Sequence, residues 1–161
     1  MQKFTVYLFT LLVLLFVYSP AFAASSEVKW VSPDDYTDIR SGNLNRKKFK
    51  EQVFSQFEKH FAKLATKLPE GQKLKIEVHN LDLAGDVNAG GMERFRIIKE
   101  VYSPKMKFSY QLLGDNDTKI SAGEANIKDM NFMGGTSIKY KHHSFGYEMK
   151  MLDHWFEKTF E

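Results

Sequence analysis

The chain has 161 residues, 43% of them hydrophobic and 27% charged, with a formal net charge of +3. That mix is globular rather than disordered, and the charge is too balanced to argue for nucleic acid or for strong attraction to anionic lipid. Cysteine is absent, which excludes disulfides, thiol catalysis, zinc–thiolate sites and a lipid anchor on a cysteine at a cleavage site.

Met1-Gln2-Lys3 puts one positive charge ahead of an apolar run from Phe4 to Tyr18. Ser19-Pro20 breaks the run and Ala21-Phe22-Ala23 follows. A basic start, a short apolar stretch and an A-x-A site are the pattern of a secretory signal peptide. The run is shorter than the ~20 residues a membrane-spanning helix needs. The expectation is cleavage after Ala23, export, and no stable membrane insertion afterwards. Residues 24–161 then form a single domain of 138 residues, large enough to bury a core without staples. A thiol-free exported domain suits a bacterial periplasm.

Val28-Lys29-Trp30-Val31 alternates and ends at Ser32-Pro33, which predicts a first or edge strand. Asp34 to Ile39 reads as a polar turn region, and Ser41-Gly42-Asn43-Leu44-Asn45 as a loop with candidate helix N-caps. Arg46 to Leu68 is the clearest helix. Phe49, Val53, Phe57, Phe61, Leu64 and Leu68 draw one apolar stripe, with Lys47, Lys48, Lys59 and Lys63 off it. Pro69-Glu70-Gly71 stops it.

Leu74, Ile76 and Val78 alternate with polar residues, as a strand with one buried face does. Leu81 and Leu83 have the opposite parity, which predicts a bulge near His79-Asn80. Asp86 to Met92, with Gly90-Gly91, reads as a loop. A strand is expected from about Glu93 to Tyr102, and another through Met106, Phe108, Tyr110 and Leu112. Gly114-Asp115-Asn116-Asp117 is a hairpin turn by composition. Its return strand carries Ile120 and Ala122, then Ala125 and Ile127, so a second bulge is expected next to Gly123. Asp129 to Ser144 is irregular.

The last helix, about Phe145 to Phe160, carries two apolar stripes. Met149, Leu152, Phe156 and Phe160 form one; Tyr147, Met151 and Trp155 form the other. The order β-α-β-β-β-β-α predicts an α+β two-layer sandwich, a mostly antiparallel five-stranded sheet with two helices on one face.

Several stretches together resemble one family. They are Val28-x-Trp30-x-x-Pro33-x-x-Tyr36-Thr37-Asp38-Ile39, Leu68-Pro69-x-Gly71-Gln72-x-Leu74, Asp82-Leu83-Ala84-Gly85, Tyr102-x-Pro104, Asp129-Met130-Asn131-Phe132 and Tyr147-Glu148-x-x-Met151-Leu152-x-x-Trp155-Phe156. Their order and spacing resemble the bacterial domain-of-unknown-function (DUF) family 3016. The resemblance implies a small exported protein of Gram-negative bacteria and implies no activity, so no catalytic residue is carried over.

The residues themselves offer few chemical candidates. Asp82 and Asp86 flank a glycine turn where carboxylates can bind a cation or a sugar hydroxyl, or simply cap the turn. His142-His143 is the only histidine pair, but neighbours in an extended segment point to opposite sides. A site there needs carboxylates from elsewhere, such as Asp82 or Asp129. Asp34, Asp35 and Asp38 with Tyr36 read as a solvated turn. Ser137 and Ser144 lack a nucleophile elbow, and the glycines match no phosphate-cradling loop. No catalytic residue, metal site or cofactor is therefore expected. Two stripes are more than a helix lying on one sheet needs, so Tyr147, Met151 and Trp155 are expected to face a partner.

The leading expectation is a non-enzymatic accessory or binding module of the cell envelope, with an envelope protein partner on the last helix. The alternative is an envelope enzyme or a metal- or glycan-binding protein using Asp82, Asp86, Asp129 and His142. Association of the last helix with a membrane surface fits less well, because its polar face carries Glu148, Asp153 and Glu157 beside Lys150 and Lys158.

Overall fold

The structure is a computed structural model that describes residues 23–161 except 89, 91 and 135–137. The expected leader up to Phe22 lies outside the described residues, as do Gly91 and Ser137. In chain order the elements are β1 (Ser25–Trp30), α1 (Arg46–Ala65), β2 (Lys73–Asp82), β3 (Asp86–Val87), β4 (Arg96–Ile97), β5 (Lys105–Leu113), β6 (Lys119–Lys128), a one-turn α2 (Ile138–Lys141) and α3 (Gly146–Phe160).

The main sheet has four strands in the order β1-β2-β5-β6. β1 runs parallel to β2, and β2, β5 and β6 are antiparallel. This corrects the expectation of a five-stranded, mostly antiparallel sheet. β1 is parallel because α1 carries the chain back to the starting end before β2 begins. The expected strand over Glu93–Tyr102 shrinks to Arg96–Ile97, which pairs with Asp86–Val87 in a separate two-stranded ladder. Its apolar residues do not keep to one face. Phe95, Ile98 and Val101 are all exposed, and a strand without a buried face has little to hold it.

The bulge foreseen near His79 is present as a register shift between Val78 and Asn80. It keeps Leu74, Ile76, Val78 and Leu81 on one buried face. The bulge foreseen at Gly123 is not there. Register shifts instead between Leu112 and Leu113, which pair with Ser121 and Lys119 and leave Ile120 exposed. Gly123 stands opposite Tyr110, and a Cβ there would lie 2.9 Å from the Tyr110 hydroxyl. The glycine makes room for a ring rather than for a bend.

α1 starts where the Asn45 side chain accepts a hydrogen bond from the Lys48 amide at 3.1 Å, a standard N-cap. It ends at Ala65, short of the expected Leu68, because Lys67 and Leu68 tighten into a turn on the Leu64 and Ala65 carbonyls ahead of Pro69. Its stripe of Val53, Phe57, Phe61 and Leu64 is fully buried together with Met149, Leu152 and Phe156 of α3 and the apolar face of the sheet. Both helices therefore share one core on one side of the sheet. The other side shows Lys73, Lys75 and Glu77 of β2 and Lys107 and Ser109 of β5.

Phe108 sits at the middle of that core, edge-on to Phe61 at 6.1 Å and to Trp155 at 4.7 Å. Phe108→Ala is expected to cost about 3–5 kcal/mol of stability, measured as the shift in urea unfolding of residues 24–161.

Candidate functional site

The chain after β1 does not form the solvated turn that its aspartates suggest. The Tyr36 hydroxyl donates to the Val78 carbonyl at 2.7 Å. The Asp38 amide donates to the Leu81 carbonyl, and the Leu83 amide to the Asp38 carbonyl, each at 3.1 Å. This short bridge carries the Asp38 side chain inside, where it is 5% exposed. Arg96 donates to Asp38 Oδ2 at 3.0 Å, to the Gly85 carbonyl at 2.9 Å and to the Arg40 carbonyl at 3.1 Å. The Arg40 amide and Nε both donate to Asp38 Oδ1 at 3.0 Å. Burial pushes the Asp38 carboxyl upward, but the hydrogen bonds of Arg96 and Arg40 outweigh it and hold the group below the usual carboxylate range. The second arm of Arg40 pairs with Asp86. Gly85, at φ +80°, lets the Ile97 carbonyl approach; a Cβ there would fall 2.4 Å from that oxygen.

Beside this clasp lies a cleft of about 760 Å³. Its walls come from the segment between Arg40 and Phe49, the stretch Glu93–Ile98, and the first turn of α3 with the residues before it. Leu44 and Phe95 are 63% and 56% exposed along it, and Ile98 and Met133 are exposed beside them. Arg94 lines it too, with no ion pair for its guanidinium among the described residues. Glu148 lies at the base, 2% exposed. Its Oε1 accepts the Ala84 amide at 2.7 Å, and burial raises its pKa.

A second polar group ties the helices together. Asp153 of α3 lies 2.7 Å from Nε2 of His60 on α1. It also accepts from Lys139 Nζ at 2.6 Å and from the Tyr140 hydroxyl at 2.5 Å. Burial opposes the charge on Asp153, yet these partners hold its pKa well below the usual range. A hollow of about 140 Å³ opens next to it, and Tyr140 and His143 line both this hollow and the cleft.

Asp82 and Asp86, the carboxylates singled out from the sequence, both join the charged group around the clasp. Asp82 pairs with Lys105 at 2.9 Å and Asp86 with Arg40. Asp129 lies apart, capping the Asn131 amide at 3.0 Å and facing Lys150 at 3.7 Å. His142 is exposed and lines neither hollow. Among the described residues, no group of three or more His, Cys, Asp or Glu is placed to hold a metal ion. Met151 and Trp155 are 4% and 8% exposed, so the chain itself covers them. Tyr147, half-buried, meets Phe132 edge-on at 4.9 Å and borders the cleft. The residues that sequence reasoning missed are Asp38, Arg96, Glu148, His60 and Asp153. The one signal was an arginine at Arg96, directly before the apolar pair Ile97-Ile98.

A protein-family model described as protein of unknown function (DUF3016) matches residues 24–158. The chain belongs to this family. No curated protein and no solved structure matches it. The matched span begins directly after the expected cleavage point and ends near the close of α3, so the clasp, the cleft and the polar group between the helices all fall inside the family's domain.

Removing Arg96 leaves Asp38 buried without its main partner. Arg96→Met is expected to cost about 3–5 kcal/mol, and Arg96→Lys to recover little of it, since one ammonium cannot span the carboxylate and two carbonyls. Both are read by urea unfolding. Glu148 behaves oppositely with pH. Its raised pKa means that its favourable contribution is complete below about pH 4.3, the unfolded value, and is lost as pH rises toward the folded value. Glu148→Gln keeps the acceptor for the Ala84 amide. It is expected to melt higher than the native chain at pH 7 and alongside it at pH 4.

Proposed function

We propose that this protein is an exported periplasmic binding module of the bacterial cell envelope, and that the cleft beside the clasp takes an apolar ligand segment. One observation carries the reading: large apolar side chains, Leu44, Phe95, Ile98 and Met133, stand exposed around a single hollow of ligand size. Pockets of about 300–1,000 Å³ with apolar walls and a few polar groups are where small ligands bind. A folded domain gains nothing from leaving such side chains together in water.

The charged groups around the cleft favour binding over chemistry. Arg96 is committed to Asp38 and to backbone carbonyls, and Glu148 to the Ala84 amide. What remains free to meet a ligand is the apolar wall with exposed polar groups beside it, among them Arg94, Glu93 and Gln52. Support for export comes from the leader pattern over residues 1–23 and the lack of cysteine.

Two measurements test this. Cells making the full chain are fractionated, and the mature N-terminus is determined by mass spectrometry. Ala24 in the osmotic-shock fraction is expected; an intact leader in the cytoplasm overturns export. Residues 24–161 are titrated with the neutral apolar fluorophore N-phenyl-1-naphthylamine. A saturable signal at one equivalent is expected, weakened about tenfold or more by Phe95→Asp, a loss of about 1.4 kcal/mol. No saturation, or an unchanged affinity in the variant, overturns the cleft reading.

A further inference from the structure

We infer that the small hollow between α1 and α2 is a site for a phosphate-class oxyanion, placed to hold the head group of a ligand whose apolar part lies in the cleft. Every polar side chain on its wall can donate. Lys59, Lys63 and Lys139 bring ammonium groups, Gln56 an amide, and His60 and His143 imidazoles. No carboxylate lines it. Asp153, the nearest acid behind the wall, already accepts from Lys139 and Tyr140 and faces His60. Its negative charge already neutralises Lys139, which leaves Lys59 and Lys63 as the ammonium groups of the wall without an ion pair among the described residues.

Lys59 and Lys63 are one helical turn apart on α1, and like charges at that spacing repel. Neither makes an ion pair among the described residues, which is also true of surface lysines such as Lys47, Lys75 and Lys107; what sets Lys59 and Lys63 apart is that both line one hollow. Two lysines without an ion pair line one hollow with a third whose charge is held by Asp153, and an anion there relieves their repulsion. At about 140 Å³ the space holds one tetrahedral oxyanion with a water or two. It is too small for a nucleotide or another ligand of drug size.

Its position carries the second half of the inference. Tyr140 and His143 are a common wall between the hollow and the 760 Å³ cleft. A monophosphate ester with an alkyl or prenyl body fits both at once: head among the lysines, body against Phe95 and Leu44. This half rests on the cleft reading proposed above; the oxyanion site itself does not.

The experiment separates them. Residues 24–161 are melted in rising inorganic phosphate, with sodium chloride at matched ionic strength as reference. A saturable rise in melting temperature is expected, absent in the double variant Lys59→Ala, Lys63→Ala. That variant should fold and bind the naphthylamine probe normally, since both side chains are exposed and off the core. No rise beyond the chloride reference, or a rise undiminished in the double variant, overturns the oxyanion site, while retained probe binding leaves the cleft reading standing. In the second arm, dodecyl phosphate and dodecanol displace the probe. Dodecyl phosphate is expected to bind at least about tenfold tighter than dodecanol and tighter than inorganic phosphate, with the advantage lost in the double variant. Equal affinity for the phosphate and the alcohol, or for dodecyl phosphate and the free anion, overturns the head-group assignment. Phosphate binding without probe binding does the same and takes the cleft reading with it.

Discussion

The geometry of the candidate site depends on one buried ion pair, Asp38 with Arg96. Through it a single guanidinium joins three stretches of chain that share no regular ladder: the segment after β1, the turn after β2 at Gly85, and β4. Without the guanidinium, the Gly85 and Arg40 carbonyls lose their donor and Asp38 keeps a charge inside the protein. A buried pair of this kind contributes little net stability compared with an apolar contact, because both ions give up their hydration. What it supplies is position. Leu44 and Phe95, which both line the cleft, lie within a few residues of Arg40 and Arg96. The two segments that carry them are held together by the Arg96 bond to the Arg40 carbonyl and by the Asn43 amide on the Arg94 carbonyl.

The charges of the molecule divide into two sets. One set is spent on structure: Asp38, Glu148, Asp153 and His60 are buried, Arg96 is partly so, and each faces specific partners. The other set, which includes Arg94, Lys59 and Lys63, lies at the surface of the two hollows without such partners among the described residues. Groups in the first set cannot bind a ligand without breaking the fold. Groups in the second can, at no cost to the core. The proposed binding of an anion with an apolar body rests on this division.

Local pattern was enough for elements that bury one regular face. The stripe of α1, the alternation of β2 with its bulge at His79, and the β5–β6 hairpin are periodic signals and follow from spacing alone. The errors came where neighbours decide. Glu93–Tyr102 has strand-like residues, but Arg96 is drawn to Asp38, fifty-eight positions earlier, and the apolar residues around it are left to line a cleft. Gly123 has the look of a bulge because Ile120 and Ala122 precede it on the wrong parity. The ring of Tyr110 above it is what requires a glycine. The parallel pairing of β1 follows from the crossover helix after it; what spacing did not reach was that the sheet has four strands, with β3 and β4 apart from it. The site was less legible still. Asp38 and Asp153 are ordinary aspartates in polar stretches, and their arginine, histidine and lysine partners come from distant segments, so no spacing rule reaches them.

The breadth of the apolar surface on α3 shows the same limit from the other side. Two stripes suggested one face for the core and one for a partner. In the structure Met149, Leu152 and Phe156 pack toward α1 and the sheet, while Trp155 turns its edges to Phe108, Tyr110 and Phe160. Room for so large a side chain comes from β6, whose inward positions include Ser121, Gly123 and Ala125, small residues opposite the long ones of β5. A helix over a sheet edge built of small side chains sinks deeper and buries more of its circumference than one over a level surface. The apolar groups left in water are then not on this helix at all. Five of them stand on the stretch from Met92 to Tyr102, where Phe95 and Ile98 border the cleft together with Leu44 and Met133. That shift, from a helix face to a loop held by Arg96, is why the proposed binding surface is the mouth of the cleft and not the last helix.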